Sequence, residues 1–439
     1  MIPLPSRVAR DLLDLVPVDE TIAYSALAMT IGLAVFRPRL RALRFTPGSA
    51  AVLGVAVLVA SGLLRPGQLA AAAAIQWRPL VTLTAIMVMT GVVQEVGAFD
   101  RLAAWLEARA RGRSAVHLFT LVFALSAITP SVLNNDAAIL ALTPIVVALT
   151  RRLYPGRPQL TVAFAFAVFL APGVAPFIVS NPMNMIVAEF AGLRFNGYAA
   201  VMLPISLVGV ALTYAVLRRI FRRVLAGAPP PAPTPVTTVH RHPAERPAVA
   251  LMIAVFAAYP IAAAAGGEIW FVAVAGALGA FAISQVYRVA PARKVASHVS
   301  FDILAFLWGI FLVVQGLRSV GVVDWLATTY GSAPAGSGAQ LATIGGVSAL
   351  GSAMIDNHPM SILNMMAIDV SHGPRPLLAA LVGGDIGPRL LPIGSLAGLL
   401  WMDLLRRAGI EIGLRRFVRI GTLVLLPTLA VSLVMLWLL

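Results

Sequence analysis

Four short polar stretches interrupt otherwise apolar runs: Thr129-Pro130-Ser131-Val132-Leu133-Asn134-Asn135-Asp136, Ser180-Asn181-Pro182-Met183-Asn184, Asp356-Asn357-His358-Pro359 and Pro392-Ile393-Gly394-Ser395. Asn, Asp and Ser ahead of a Pro or an apolar run are the residue types that cap helix N-termini. Asn135 or Asp136 is placed to cap a helix beginning near Ala137, and Asn181 one with Pro182 in its first turn. Asn357 is placed to cap one near Pro359, and Ser395 one near Leu396. Half-helices capped in this way point unsatisfied N–H groups and partial positive charge at their starting points, which suits the oxygen atoms of a small substrate. Capping alone is the plainer role for the same side chains, and the two roles are compatible.

The acids form a second set. Asp136, Asp356 and Asp385 lie at or near the interruptions, and Glu95 lies in an apolar run upstream. A carboxylate at membrane depth is a proton carrier by chemistry, because burial raises its pKa toward working pH. The alternative is a structural cap or an arginine partner, and Arg389 follows Asp385 closely. His358 titrates near neutrality or serves as a hydrogen-bonded tip residue. The chain has no phosphate-binding glycine loop, no HExxH and no nucleophile–base spacing, so the expectation is a non-enzyme without cofactors.

The elements that must hold these residues are set by composition. Of 439 residues 59% are hydrophobic and 12% charged, against about 25% charged in soluble domains, so the excess apolar sequence must face lipid or other spanning helices. Lys294 is the single lysine, so the net charge of +15 is almost all arginine. The arginines cluster between apolar runs without interleaved aromatics, which marks cytoplasmic loops on anionic lipid and excludes nucleic-acid binding. There is no cysteine, which removes disulfides, thiol catalysis and thiolate metal sites. The N-terminal segment to Glu20 mixes arginines with acids and carries no apolar core of a removable signal.

Spans of about 17–25 residues are expected near 21–36, 48–64, 79–98, 160–193, 199–217, 248–265, 268–286, 302–323, 376–402 and 417–438. Regions 116–150 and 339–370 are interrupted mid-way into halves of about 15 residues, expected to be too short to cross alone. The first is basic at both ends (Arg101 to Arg113, then Arg151 to Arg157), as a re-entrant hairpin opening to the cytoplasm requires. The second is flanked only by Arg318 and Arg375, and is expected to open to the periplasm. The expected fold is an all-α polytopic inner-membrane protein of about ten spans. Two inverted-topology repeats, 1–223 and 248–439, each carry a re-entrant hairpin and an interrupted helix. A proline-rich cytoplasmic linker, 224–247, joins them; its His240 and His242 read as exposed linker residues or a weak metal pair. Gly97-Ala98-Phe99-Asp100-Arg101-Leu102-Ala103 returns faintly as Gly321-Val322-Val323-Asp324-Trp325-Leu326-Ala327.

Asn135-Asp136-Ala137-Ala138 through Val146 resembles the hairpin segment of the arsenite/antimonite efflux permeases. Ile178 to Val187 with Phe195 to Pro204 is similar to their fourth-span break, and Gly384-Asp385-Ile386-Gly387-Pro388-Arg389 with Pro392 to Ala397 and Leu400-Trp401 to their late signature. The resemblance implies export of trivalent arsenic or antimony hydroxide in exchange for protons, and in some members coupling to a soluble ATPase. It carries Asn135, Asp136, Ser180, Asn181, Asn184, Asn357, Asp385 and Ser395 as site positions. The family's second tip reads Asn-Asn-Leu-Pro, so Asp356 and His358 are departures. A sodium/proton antiporter or a dicarboxylate carrier would use the same helix ends and acids.

Overall fold

The computed structural model describes residues 18–40, 43–232, 241–371 and 373–439; the side chains of Arg39, Leu40, Leu43, Arg44, Val132, Asp136 and Ser319 are also outside what is described. Apart from a two-residue antiparallel ribbon, Arg39–Leu40 with Leu43–Arg44, the described residues form helices and their connections. Eight helical stretches are long and apolar enough to cross a membrane, and Pro47–Ala60, Ala115–Ser131 and Pro158–Leu170 are shorter apolar ones.

The first half runs α1 (Val18–Phe36), α2 (Pro47–Ala60), α3 (Pro66–Glu95), α4 (Ala98–Ala110), a helical hairpin α5 (Ala115–Leu133) and α6 (Asn135–Leu153), the broken pair α7 (Pro158–Leu170) and α8 (Pro182–Phe190), then α9 (Phe195–Ile220) and the short α10 (Arg222–Ala226). The second repeats this order. It runs α11 (Glu245–Ala264), α12 (Ile269–Val286), the short α13 (Ala292–Ala296), α14 (Phe301–Leu317), α15 (Val322–Tyr330), a hairpin α16 (Gly338–Ile355) and α17 (Asn357–Ala367), the broken pair α18 (Arg375–Ile386) and α19 (Leu396–Arg407), and α20 (Leu414–Leu438).

The faint sequence echo marks equivalent joints. Gly97 (φ 80°) starts α4 and Gly321 (φ 78°) starts α15, both in the left-handed region that only glycine enters freely. Packing is reciprocal as well: α14 lies on α2 and α12 on α3, hairpin arm α6 meets half-helix α19, and arm α17 meets half-helix α8.

Three of the four hairpin arms are longer than expected, at 19 residues each in the first hairpin and 18 in the second, whose other arm has 11. Helix continues through Thr129-Pro130 because Pro130 sits near the end of α5, where a freed carbonyl is tolerable. Length therefore does not identify a hairpin here; the chain reversal at the tip does.

Buried apolar residues fall into two clusters. One is built from α1 to α3, α8, α11 to α18 and the start of α9. The other is built from the first hairpin, α7, α19 and the facing ends of α9 and α20. In the linker, Ala232 N–H donates to Leu153 O at 2.8 Å. Arg101 bonds the nearly buried Glu245 at 2.5 Å, and His242 Nδ1 accepts from Ala244 N–H at 3.1 Å; His240 lies outside the described residues.

Candidate functional site

The two hairpin tips share one unusual backbone geometry. Asn134 has φ 81°, ψ 160° and Asp356 has φ 76°, ψ 149°, a region that is close to glycine-only and costs about 1–3 kcal/mol for other residues. Each side chain then caps the helix it has just turned into. Asn134 Oδ1 accepts from Ala137 N–H at 2.9 Å, and Asp356 Oδ1 from His358 N–H at 2.9 Å. The caps are thus one residue or more earlier than the Asn135/Asp136 and Asn357 expected, because the capping residue is the one that leaves helical φ/ψ. Asn135 and Asn357 are freed to sit in the first turns of α6 and α17.

The broken spans behave as expected. A 3-10 turn, Ile178–Ser180, leads to extended Asn181, whose Oδ1 accepts from Met183 N–H at 3.1 Å. A 3-10 turn, Pro392–Gly394, leads to extended Ser395, whose Oγ accepts from Gly398 N–H at 3.0 Å.

All four breaks meet at one small cavity of about 40 Å³. Asn135, Asn181, Asn357, His358, Asp385 and Ser395 line it, with Phe169, Pro172 and Arg389. Asp385 is held by neutral donors only: Asn181 Nδ2 at 2.8 Å, Ala175 N–H at 2.8 Å and Asn184 Nδ2 at 3.2 Å. A carboxylate has about four acceptor positions, so one remains. Arg389, the partner suggested by sequence, forms no ion pair with it. The guanidinium instead donates to Leu170 O (2.9 Å), Pro172 O (3.0 Å) and Thr428 Oγ1 (3.1 Å). His358 Nδ1 lies 2.6 Å from Asp356 Oδ1, with both side chains buried, and its ring packs edge-on to Phe306. Buried Ser180 Oγ, Asn184 Oδ1 and Asn357 Oδ1 have no protein partner, an uncommon cost in a native core unless something else meets them.

Glu95 stands apart. It closes α3 in an ion-paired group with Lys294 (2.5 Å) and His298 (2.9 Å), on the wall of a separate vestibule of about 640 Å³. That vestibule is lined by Glu95, Asp100 and His298 and also by Leu133, Asn134 and Pro182, the last two adjacent in sequence to Asn135 and Asn181 of the small cavity. Asp136 lies in the first turn of α6, and its side chain is outside the described residues.

Sequence reasoning missed Tyr198, fully buried on α9. Its hydroxyl accepts from Asn184 Nδ2 at 2.6 Å and donates to Ala175 O at 3.0 Å, closing a ring around Asp385. No sequence signal separates this Tyr from an ordinary core aromatic.

Comparison with known proteins agrees with this architecture. The family described as citrate transporter matches residues 31–384. The arsenical pump membrane protein of Yersinia enterocolitica is 30% identical over 432 residues, covering 94% of this chain and 97% of that protein. That of Escherichia coli K12 is 28% identical over 423 residues with the same coverage. An uncharacterized transporter of Mycobacterium tuberculosis is 30% identical over 377 residues, covering 83% of this chain and 86% of that one. Among solved structures, the Alcanivorax borkumensis YdaH transporter superposes with TM-score 0.58 at 15% identity, covering 96% of this chain and 98% of that one. Neisseria gonorrhoeae MtrF does so with TM-score 0.53 at 11% identity, covering 97% and 94%. With apolar helices for repeated membrane crossings and relatives matched along nearly its whole length, the chain belongs to the citrate transporter family of bacterial inner-membrane transporters, alongside the arsenical pump membrane proteins.

Proposed function

We propose that this transporter exports arsenite or antimonite, as the neutral trivalent hydroxide, from the cytoplasm in exchange for protons. The observation that carries the proposal is the small cavity between the four breaks, whose polar lining is amide, hydroxyl, imidazole and the Arg389 guanidinium around one carboxylate that still has an open acceptor position. A space of about 40 Å³ suits a small solute, the class to which a trivalent hydroxide belongs. Its hydroxyls need acceptors, and in the lining Asn357 Oδ1 and Asp385 supply them without a thiol.

Exchange then follows from competition. Ionised Asp385 accepts a cargo hydroxyl, and a proton taken from the acidic side removes that acceptor, so cargo leaves and the proton returns inward. His358, in the same lining, is bonded to Asp356; that pair and Asp136, on the adjacent first turn of α6, remain proton-carrier candidates. Cargo enters from the cytoplasm through the vestibule, whose outer wall carries Glu95 and Asp100 beside the basic segments. The two halves are taken as inverted repeats, 1–223 and 248–439, joined by a cytoplasmic linker, so that one bundle moves against the other around the midplane site.

The family's description favours citrate as the rival cargo. Against it, a polycarboxylate would meet Asp385 as a like charge, while Arg389 is spent on backbone and threonine oxygens. In energised everted vesicles, arsenite uptake that excess citrate leaves unchanged is expected. Uptake of citrate with none of arsenite would replace this reading.

A further inference from the structure

Arg389 presents an unusual buried cation. It is 3% exposed and among the described residues makes no direct ion pair; Asp385 shares the small cavity with it but gives its oxygens to neutral donors, and a guanidinium so far from water without a bonded carboxylate is costly. What surrounds it is oxygen. Nη2 donates to Leu170 O at 2.9 Å and Pro172 O at 3.0 Å, the carbonyls where α7 ends and its chain unwinds. Nη1 reaches Thr428 Oγ1 at 3.1 Å on α20 and Thr213 Oγ1 at 3.4 Å on α9. Thr428 gives its own hydroxyl proton to Val424 O at 2.7 Å, so it turns lone pairs toward the guanidinium.

Unwound carbonyls at the C-terminal end of a half-helix, with hydroxyls beside them, are the donor set that broken-helix carriers use to coordinate a free sodium ion. They also carry the negative end of the helix dipole. We infer that Arg389 is a tethered cation filling the place of a free monovalent coupling ion, and that it makes this carrier independent of sodium. The position is asymmetric between the halves. Arg389 stands six residues before the capping Ser395, whereas the residue six before the capping Asn181 is Ala175, which offers only its backbone N–H to Asp385. The segment 385–389 therefore grips the first-half break from both sides, Asp385 on its donors and Arg389 on its acceptors. Because guanidinium stays charged at any working pH, the positive charge never leaves the protein, and the transported proton is left as the only coupling ion.

This inference rests on the chain being a transporter and not on its cargo, so its test is read first on the purified full-length protein. The wild-type unfolding temperature is expected to be the same in choline chloride and in sodium chloride. Arg389→Ala is expected to unfold several degrees lower in choline and to be raised again by sodium or by low-millimolar guanidinium, as ligand-linked stabilisation requires. In vesicles its uptake is expected to become sodium-dependent, while Arg389→Lys, which keeps a tethered charge, stays sodium-insensitive. Sodium stabilisation or sodium-dependent uptake of the wild type overturns the inference. So does a folded Arg389→Ala that neither cation stabilises. If the Ala variant does not fold, Arg389→Lys decides: sodium-insensitive uptake upholds the assignment and sodium-dependent uptake overturns it.

Discussion

At the scale of single residues, the site is a set of hydrogen-bond vacancies around one carboxylate. Asp385 accepts from three neutral donors and lines the cavity, which makes it the group where proton and cargo can compete. Asp385→Asn is expected to lower uphill arsenite uptake at least tenfold while the purified protein still folds; uphill uptake at the wild-type level would remove Asp385 from coupling. Asp356 and His358 depart from the family tip yet form a buried 2.6 Å pair against Phe306. His358→Leu is expected to keep transport and change its pH profile, and an unchanged profile would assign the pair to structure alone. The sequence exposed these residues because polar groups at membrane depth stand out against an apolar background. It left Tyr198 and the true partners of Arg389 hidden, since those depend on which helices come together in space, at sequence separations from 14 residues for Asn184 and Tyr198 to 219 for Leu170 and Arg389.

At the scale of elements, the capping signals were legible at Asn181 and Ser395 and displaced at the hairpin tips. The displacement has a backbone cause: Asn134 and Asp356 take a positive φ to reverse the chain, and only then cap. Asn134→Ala keeps the strained backbone and is therefore expected to lose the cap alone, about 0.5–2 kcal/mol. Asn134→Gly is expected to lose only a few tenths for the cap, as read by unfolding in detergent. Equal destabilisation by Ala and Gly would mean that the tip is not strained. The hairpins were expected from the length of their halves together with the charge at their ends, and length is the weaker of the two signals, because arms of 18 and 19 residues are long enough to be mistaken for spans.

At the scale of the whole molecule, element order, the glycine joints and the reciprocal packing all repeat between the halves. An odd number of crossings per half would place equivalent loops on opposite faces. The absence of cysteine makes the chain ready for single-cysteine labelling. Arg113→Cys and Ser332→Cys sit in equivalent exposed loops before the two hairpins. An impermeant maleimide is expected to label the first only in everted vesicles and the second only in right-side-out ones; labelling of both from one face would rule out inversion.

The central claim, exchange of a neutral metalloid hydroxide for protons, is tested most directly by arsenite uptake into everted vesicles energised by respiration. The account predicts uptake that collapses on adding a protonophore and is indifferent to sodium. Uptake that survives the protonophore, or none at all beside sodium-dependent proton movement, would contradict it.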